Sequence, residues 1–269
     1  MSEPLAPQNI QVTILLSVFN GADTLSRCLE SLERQTYQNF CILAINDASS
    51  DSSAILLTEW HKKLGPRMQV LTNETNLGLT LSLNKGIDAI TTELIARVDA
   101  DDWWEPTKLE QQVHYLEGHP ECGVVGTNYI NHAETFDREV LLPESDAAIR
   151  KLMFWRNPFA HSAVCYRTDF IKRMGKYNPS VRYAQDYELW VRCFPHTKFH
   201  NIQEFLCHRT IGESISTRRQ DEQMRLYLQV LREYLPKYKR PLYEYAAMLE
   251  PTLVLLTPDW LRRLKRRFL

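Results

Sequence analysis

Apolar and polar positions alternate in blocks along the first half of the chain. Val12 to Phe19 is uncharged and rich in aliphatic residues, the pattern of a strand buried on both faces of a sheet. From Thr24 onward, Leu25, Cys28, Leu29 and Leu32 recur at helical spacing. Cys41 to Ile45 reads as a second strand, and a Ser/Asp-rich turn over 46–53 caps a helix carrying Ile55, Leu56 and Trp60. Met68 to Leu71 then reads as strand, Gly78 to Ile90 as helix and Leu94 to Val98 as strand. Pro106 follows at a first-turn position of another helix, before a strand at Cys122 to Gly126. Strands alternating with helices predict an α/β fold with a mostly parallel central sheet.

Past about residue 130 the pattern loosens. A helix around Asp186 to Cys193 and a short strand pair near 199–208 stand out, and the second half reads as a lid and acceptor platform built on the first. Residues 221–269 read as helical, interrupted near Pro236, Pro241, Pro251 and Pro258, an appendage rather than part of the core.

Composition narrows the class. At 269 residues and 44% hydrophobic, the chain can bury a substantial core. The net charge of −1 hides an asymmetry, because twelve Lys/Arg face six Asp/Glu from Arg218 onward, leaving an acidic body with a basic tail. No nucleic-acid partner is expected. The six cysteines show no metal-ligand spacing and read as core residues of a reducing compartment. Met1 to Gln11 does not resemble a secretory leader, and no apolar run approaches a membrane span, so a cytoplasmic protein, at most peripheral to a membrane, is expected.

Candidate chemistry sits at predicted strand ends. Asp99-Ala100-Asp101-Asp102 follows the Leu94 to Val98 strand, where Asp99 and Asp101 share a face and α/β proteins bind ligands. Clustered hard oxygens suit Mg2+ or Mn2+ together with substrate phosphates; the same acids would also suit a helix N-terminus. Asn46-Asp47-Ala48-Ser49-Ser50-Asp51 ends the second strand, where a carboxylate could accept the imide N–H of a uracil, or where a polar turn could simply cap a helix. Asp186, near the start of its helix, could project into a cleft as a general base, or form an ordinary ion pair with Arg192. Neither a GxxxxGK[ST] loop nor a GxGxxG after the first strand is present, which disfavours P-loop NTPases and nicotinamide-dependent dehydrogenases.

Taken together, six segments resemble glycosyltransferase family 2 in order. They are Ser17-Val18-Phe19-Asn20, the 46–51 cluster, Asn76-Leu77-Gly78 with Asn84-Lys85-Gly86, Arg97-Val98-Asp99-Ala100-Asp101-Asp102, Asn157-Pro158 with His161-Ser162, and Gln185-Asp186-Tyr187-Glu188. The resemblance implies a GT-A fold over 1–217, with a nucleotide-sugar-binding half at 10–105 and an acceptor-binding half at 106–217, and a basic helical appendage at 218–269. It implies an inverting, metal-dependent transferase acting on a nucleotide-sugar donor, expected to be a UDP-sugar, and a glycan or polyprenyl-diphosphate-linked acceptor in surface-polysaccharide synthesis. By the same resemblance, Ser17, Phe19 and Asn20 line the nucleoside pocket, Asp47 reads the base, and Asp99 lies by the ribose and diphosphate. Asp101 holds Mn2+ or Mg2+ and Asp186 is the catalytic base. Arg97, Asp102, His161 and His208 are candidates for phosphate or acceptor contacts.

Two positions depart from the family pattern. Gln185 stands where Glu is common, and Ile211 where a histidine is common, with His208 nearby as a substitute. These departures leave a non-catalytic nucleotide-sugar-binding subunit as the competing reading. A nucleotidyltransferase is disfavoured, because Asn20-Gly21-Ala22-Asp23 is not a basic Gly-rich loop. In the tail, Leu261, Leu264 and Phe268 share a helical face among five basic residues of 260–269, which suits an anionic membrane surface or a solvated helix end.

Overall fold

The computed structural model describes residues 11–133, 135–211 and 220–257. The tail segment 260–269 and the expected boundary near residue 217 lie outside these residues. Nine strands among them form one sheet. Its first part runs β3 (Met68–Thr72), β2 (Phe40–Asn46), β1 (Val12–Val18) and β4 (Leu94–Asp99), all parallel. The sheet continues through β8 (Cys165–Arg167), β6 (Cys122–His132), β9 (Lys198–Thr210) and β5 (Trp103–Trp104), with β7 (Asp137–Val140) paired to β6. Only β6 and β9 pair in parallel in this second part; the β4–β8, β6–β8, β5–β9 and β6–β7 pairs are antiparallel.

Both faces of the parallel part are covered, and this explains the uncharged run in β1. Val12, Ile14, Leu16 and Val18 pack with Leu25, Cys28, Leu29 and Leu32 of α1 (Ala22–Glu33) and with Leu109, Val113 and Leu116 of α4 (Lys108–Gly118). The same cluster takes in Leu57 and Trp60 of α2 (Ser53–Leu64). Leu15 faces the other way, toward Leu83 and Ile87 of α3 (Leu79–Ala89). The approach there is close: a Cβ on Gly86 would stand 2.4 Å from Leu15 Cδ1. Asn84 exchanges two hydrogen bonds with the Tyr177 backbone and Lys85 donates to Asn73. The Asn84-Lys85-Gly86 segment thus packs α3 on the sheet and braces it.

The expected elements appear with three differences. Pro106 precedes the helix, whose N-cap is Thr107, and its carbonyl accepts the Thr36 amide. The strand predicted over 122–126 extends to His132, and the short pair predicted near 199–208 is one thirteen-residue strand. Register shifts between Cys122 and Tyr129 let β9 follow β6 over this length while interrupting the simple alternation that sequence reading relies on.

The helical C-terminal region is present, as α8 (Gln220–Lys237), a 3-10 turn (Leu242–Met248) and α9 (Leu249–Leu256). Its inner face is core: Val230, Leu231, Tyr234 and Leu235 are 0–3% exposed and belong to the cluster containing Leu15. It packs on α7 (Gln185–Cys193) through aromatic and polar contacts. Tyr227 stacks on Tyr187 at 4.3 Å, Tyr234 Oη donates to Glu188 Oε1 at 2.7 Å, and Tyr238 Oη donates to the Arg192 carbonyl. Glu188, 2% exposed, is also held by Arg192 at 2.8 Å.

Tyr234→Phe removes a buried bond to a charged acceptor that keeps its arginine. The expected loss is about 1–2 kcal/mol in urea unfolding, with the m-value unchanged.

Candidate active site

The strand order 3-2-1-4 reverses direction between β1 and β4, and such a switch point opens a crevice at the carboxyl ends of the strands. Ser17 and Asp99 are register partners across it, and Val18 pairs with Asn46 on the other side. Phe19, at the end of β1, is 51% exposed. Asn20 adopts a left-handed backbone with φ 51°, which asparagine tolerates better than most residues. Its Oδ1 accepts the Ser50 amide at 2.8 Å, and its own amide donates to Ser49, stitching the loops after β1 and β2 together.

Asp47 is 2% exposed and largely occupied. Its Oδ1 accepts from Asn73 Nδ2 at 2.7 Å and from the Leu77 amide at 2.9 Å, and Oδ2 accepts the Gly78 amide at 2.9 Å. The carboxylate thus shapes the 73–78 loop and keeps one lone pair, on Oδ2, for anything else.

The acids after β4 form a tight group. Asp99, Asp101 and Asp102 each offer an oxygen within 4.8 Å of the others. Arg97, wholly buried, pairs with Asp99 and donates to Ser162 Oγ at 3.3 Å. Ser162 also bonds both Asp99 and Asp102. Asp102 Oδ1 accepts the Thr210 amide at 3.0 Å, which fixes the end of β9 to this loop. The carboxylate of Asp101 accepts no hydrogen bond from any other described residue, while its carbonyl takes Arg27 and Thr210 Oγ1. One carboxylate is left open beside two that are braced, and this donor set fits a hard divalent cation.

The charges divide accordingly. Burial would raise Asp99, but the adjoining Arg97 guanidinium outweighs it and holds the carboxyl well below the usual range. Asp102 is pushed up to about 7 by burial and then by Asp99 and Asp101. Asp101 is raised by burial and by Asp99. An incoming cation would relieve this strain.

Asp186 stands at the first turn of α7, where Asn157 Nδ2 donates to its Oδ2 at 2.6 Å. Burial raises its pKa, while the Tyr187 amide, Asn157, Arg97 and Arg209 oppose the rise. Asn157 and Ser162 stand on one loop and bond Asp186 on one side and Asp99 and Asp102 on the other, so a single loop links these acids.

Other expected contacts are committed elsewhere. Arg97 is spent on Asp99 and Ser162 within the strand. His161 bonds Tyr177 Oη at 2.8 Å, and burial, aided by Arg97, keeps it neutral. Both ring nitrogens of His208 are taken, by His132 at 2.9 Å and Glu105 at 2.7 Å, with Trp103 stacked on the ring. His208 therefore does not replace the histidine whose position Ile211 occupies. Sequence reading missed Arg209, whose Nε lies 3.8 Å from Asp102 Oδ2 and whose guanidinium lies over Tyr129. It also gave no role to Asn157 and Ser162, which the folded chain places directly on the acids.

The model of the family described as "Glycosyl transferase family 2" matches residues 13–175. The chain belongs to glycosyl transferase family 2. It is 34% identical to the amylovoran biosynthesis glycosyltransferase AmsE of Erwinia amylovora over 67% of this chain and 68% of that protein. It is 26% identical to the O-antigen biosynthesis glycosyltransferase WbnJ of Escherichia coli, over 74% and 79%. Among solved structures, S. aureus TarS in complex with UDP aligns with TM-score 0.67 at 16% identity, over 83% of this chain and 66% of that one. The mannosyltransferase PcManGT of Pyrobaculum calidifontis, in complex with GDP-Man and Mn2+, aligns with TM-score 0.68 at 16% identity, over 91% and 69%. The fold is GT-A.

Because Asn157 stabilises the ionised form of Asp186, Asn157→Leu should move the acid limb of kcat/KM to higher pH. In the parent enzyme that limb should already lie above the ordinary aspartate value of about 3.9. A pH–rate profile of both proteins measures the difference.

Proposed function

We propose that this glycosyltransferase moves a hexosyl or N-acetylhexosaminyl group from a UDP-sugar to a hydroxyl of a glycan or polyprenyl-diphosphate-linked acceptor, with inversion, in surface-polysaccharide synthesis. The observation that carries it is that one short loop, 157–162, bonds Asp186 through Asn157 and Asp99 and Asp102 through Ser162. The pathway rests on the relatives named for amylovoran and O-antigen biosynthesis. The UDP donor rests on the TarS complex and on Asp47 Oδ2, whose remaining lone pair suits an imide N–H. Six buried free cysteines suit a cytoplasmic setting.

In this reading the nucleoside lies over the ends of β1 and β2, with Phe19 as its apolar wall and Ser17 beneath. Asp99 keeps its charge through Arg97 and accepts from the ribose. Asp101, the carboxylate left open, would be the principal ligand for Mn2+ or Mg2+, with Asp102 beside it; the bound ion would neutralise charge on the departing diphosphate. Arg209 adds a protein cation on the same side. Asp186, oriented by Asn157, takes the acceptor hydroxyl proton as that oxygen attacks the anomeric carbon from the face opposite the diphosphate. A single displacement inverts the configuration.

Two substitutions separate these roles. Asp186→Asn should leave UDP affinity within about twofold by calorimetry while lowering transfer by about 10²–10⁴-fold. Full turnover by that variant would overturn the base assignment. Asp101→Asn should abolish the stimulation by Mn2+ of diphosphonucleoside release across a panel of nucleotide sugars. If chelator leaves the parent's rate unchanged, the metal role is wrong.

A further inference from the structure

The C-terminal helices bury one face and leave the other bare. Glu244, Ala247 and Pro251 point inward, whereas Leu242 is 87% exposed, Tyr243 67%, Leu249 61%, Leu253 61% and Leu256 75%. Ala246 is exposed as well. Steps of three across the 3-10 turn, at 243, 246 and 249, pass into steps of four and three along α9, at 249, 253 and 256. These positions therefore form one continuous stripe down one side of the segment. Large apolar side chains gathered this way mark a contact surface, unlike scattered single ones.

Charge identifies the occupant. Lys237 and Lys239 are exposed immediately before the stripe, and the sequence after it, 258–269, carries four arginines and one lysine against one acid. Within 242–257 the acids are Glu244, buried and paired with Arg240, and Glu250. Cationic residues at both ends of an apolar strip suit a surface that is negative outside and apolar just beneath. None of the described helices is long and apolar enough to cross a membrane, so the contact would be lateral.

We propose that the Tyr243–Leu256 stripe docks on an anionic lipid bilayer and holds the acceptor side of the active site against it. The proposal rests, for its acceptor, on the lipid-linked reading given above. Its position supports the second half of the statement. Tyr227 of α8 stacks on Tyr187, the neighbour of Asp186, and α8 packs on both α7 and α9, so the helix bearing the stripe is joined to the helix that carries Asp186.

Flotation of the full chain with vesicles tests the docking independently of turnover. Wild type should float with phosphatidylglycerol-containing vesicles and remain at the bottom with pure phosphatidylcholine. Leu249→Gln, Leu253→Gln and Leu256→Gln combined should weaken partitioning by about tenfold or more. A second variant, Leu242→Gln with Tyr243→Gln, should weaken it at the other end of the stripe. UDP affinity in both variants should match wild type, which certifies folding and reports on the donor site separately. The proposal is overturned if wild type ignores anionic vesicles, if both variants float as it does, or if the substitutions instead convert a lipid-indifferent dimer to monomer. Should flotation behave as expected while no nucleotide sugar is turned over, the docking stands and the transferase reading of the site fails.

Discussion

Carboxylates crowded within 4.8 Å of one another repel, and burial makes the repulsion worse; the buried Arg97 is what lets this loop exist. By committing its guanidinium to Asp99, it leaves that acid ionised and allows Ser162 to bridge onward to Asp102. Asp101 is then the acid whose carboxylate no other described residue satisfies. A fully buried arginine in the middle of a central parallel strand is costly, and the chain places it one pleat before the strand end, where its fork reaches the acids. The site is thus organised from beneath by a side chain that a substrate would not touch.

Much of this was readable from the sequence. The parallel strands are covered on both faces, so they appear as unbroken apolar runs, and the acids that terminate them stand out as abrupt changes of character. Asp99 and Asp101 were recognisable for that reason, and Asp186 by its place at the start of a helix. Arg97 was visible too, but its guanidinium is committed to Asp99 and Ser162. Asp47 carried a similar ambiguity: a lone acid in a polar turn gives no sign that three donors from a loop some thirty residues away will converge on it.

What could not be read comes from pairings with no local signature. Arg209 meets Asp102 because β9 runs beside β6 and then β5 through irregular register, and Thr210 is 108 residues from the acid whose oxygen its amide reaches. The two histidines at 132 and 208 neighbour each other for the same reason, which removes His208 from the list of free ligands. The C-terminal helix looked peripheral because its prolines break the periodic pattern, yet α8 is continuous from Gln220 to Lys237 with Pro236 tolerated in its last turn.

Three tyrosines, two on that helix and one just past its end, have a consequence for how such enzymes diversify. Tyr227, Tyr234 and Tyr238 grip Tyr187, Glu188 and the Arg192 carbonyl, all on the helix that carries Asp186. Exchange of C-terminal regions among related chains would therefore not be a neutral swap of targeting modules. A graft lacking these rings would strip cover from Tyr187 and leave Glu188 one partner short, disturbing the orientation of the neighbouring carboxylate. Recombination in this fold should keep the two helices together as a heritable unit, even though residues 194–219 separate them in sequence.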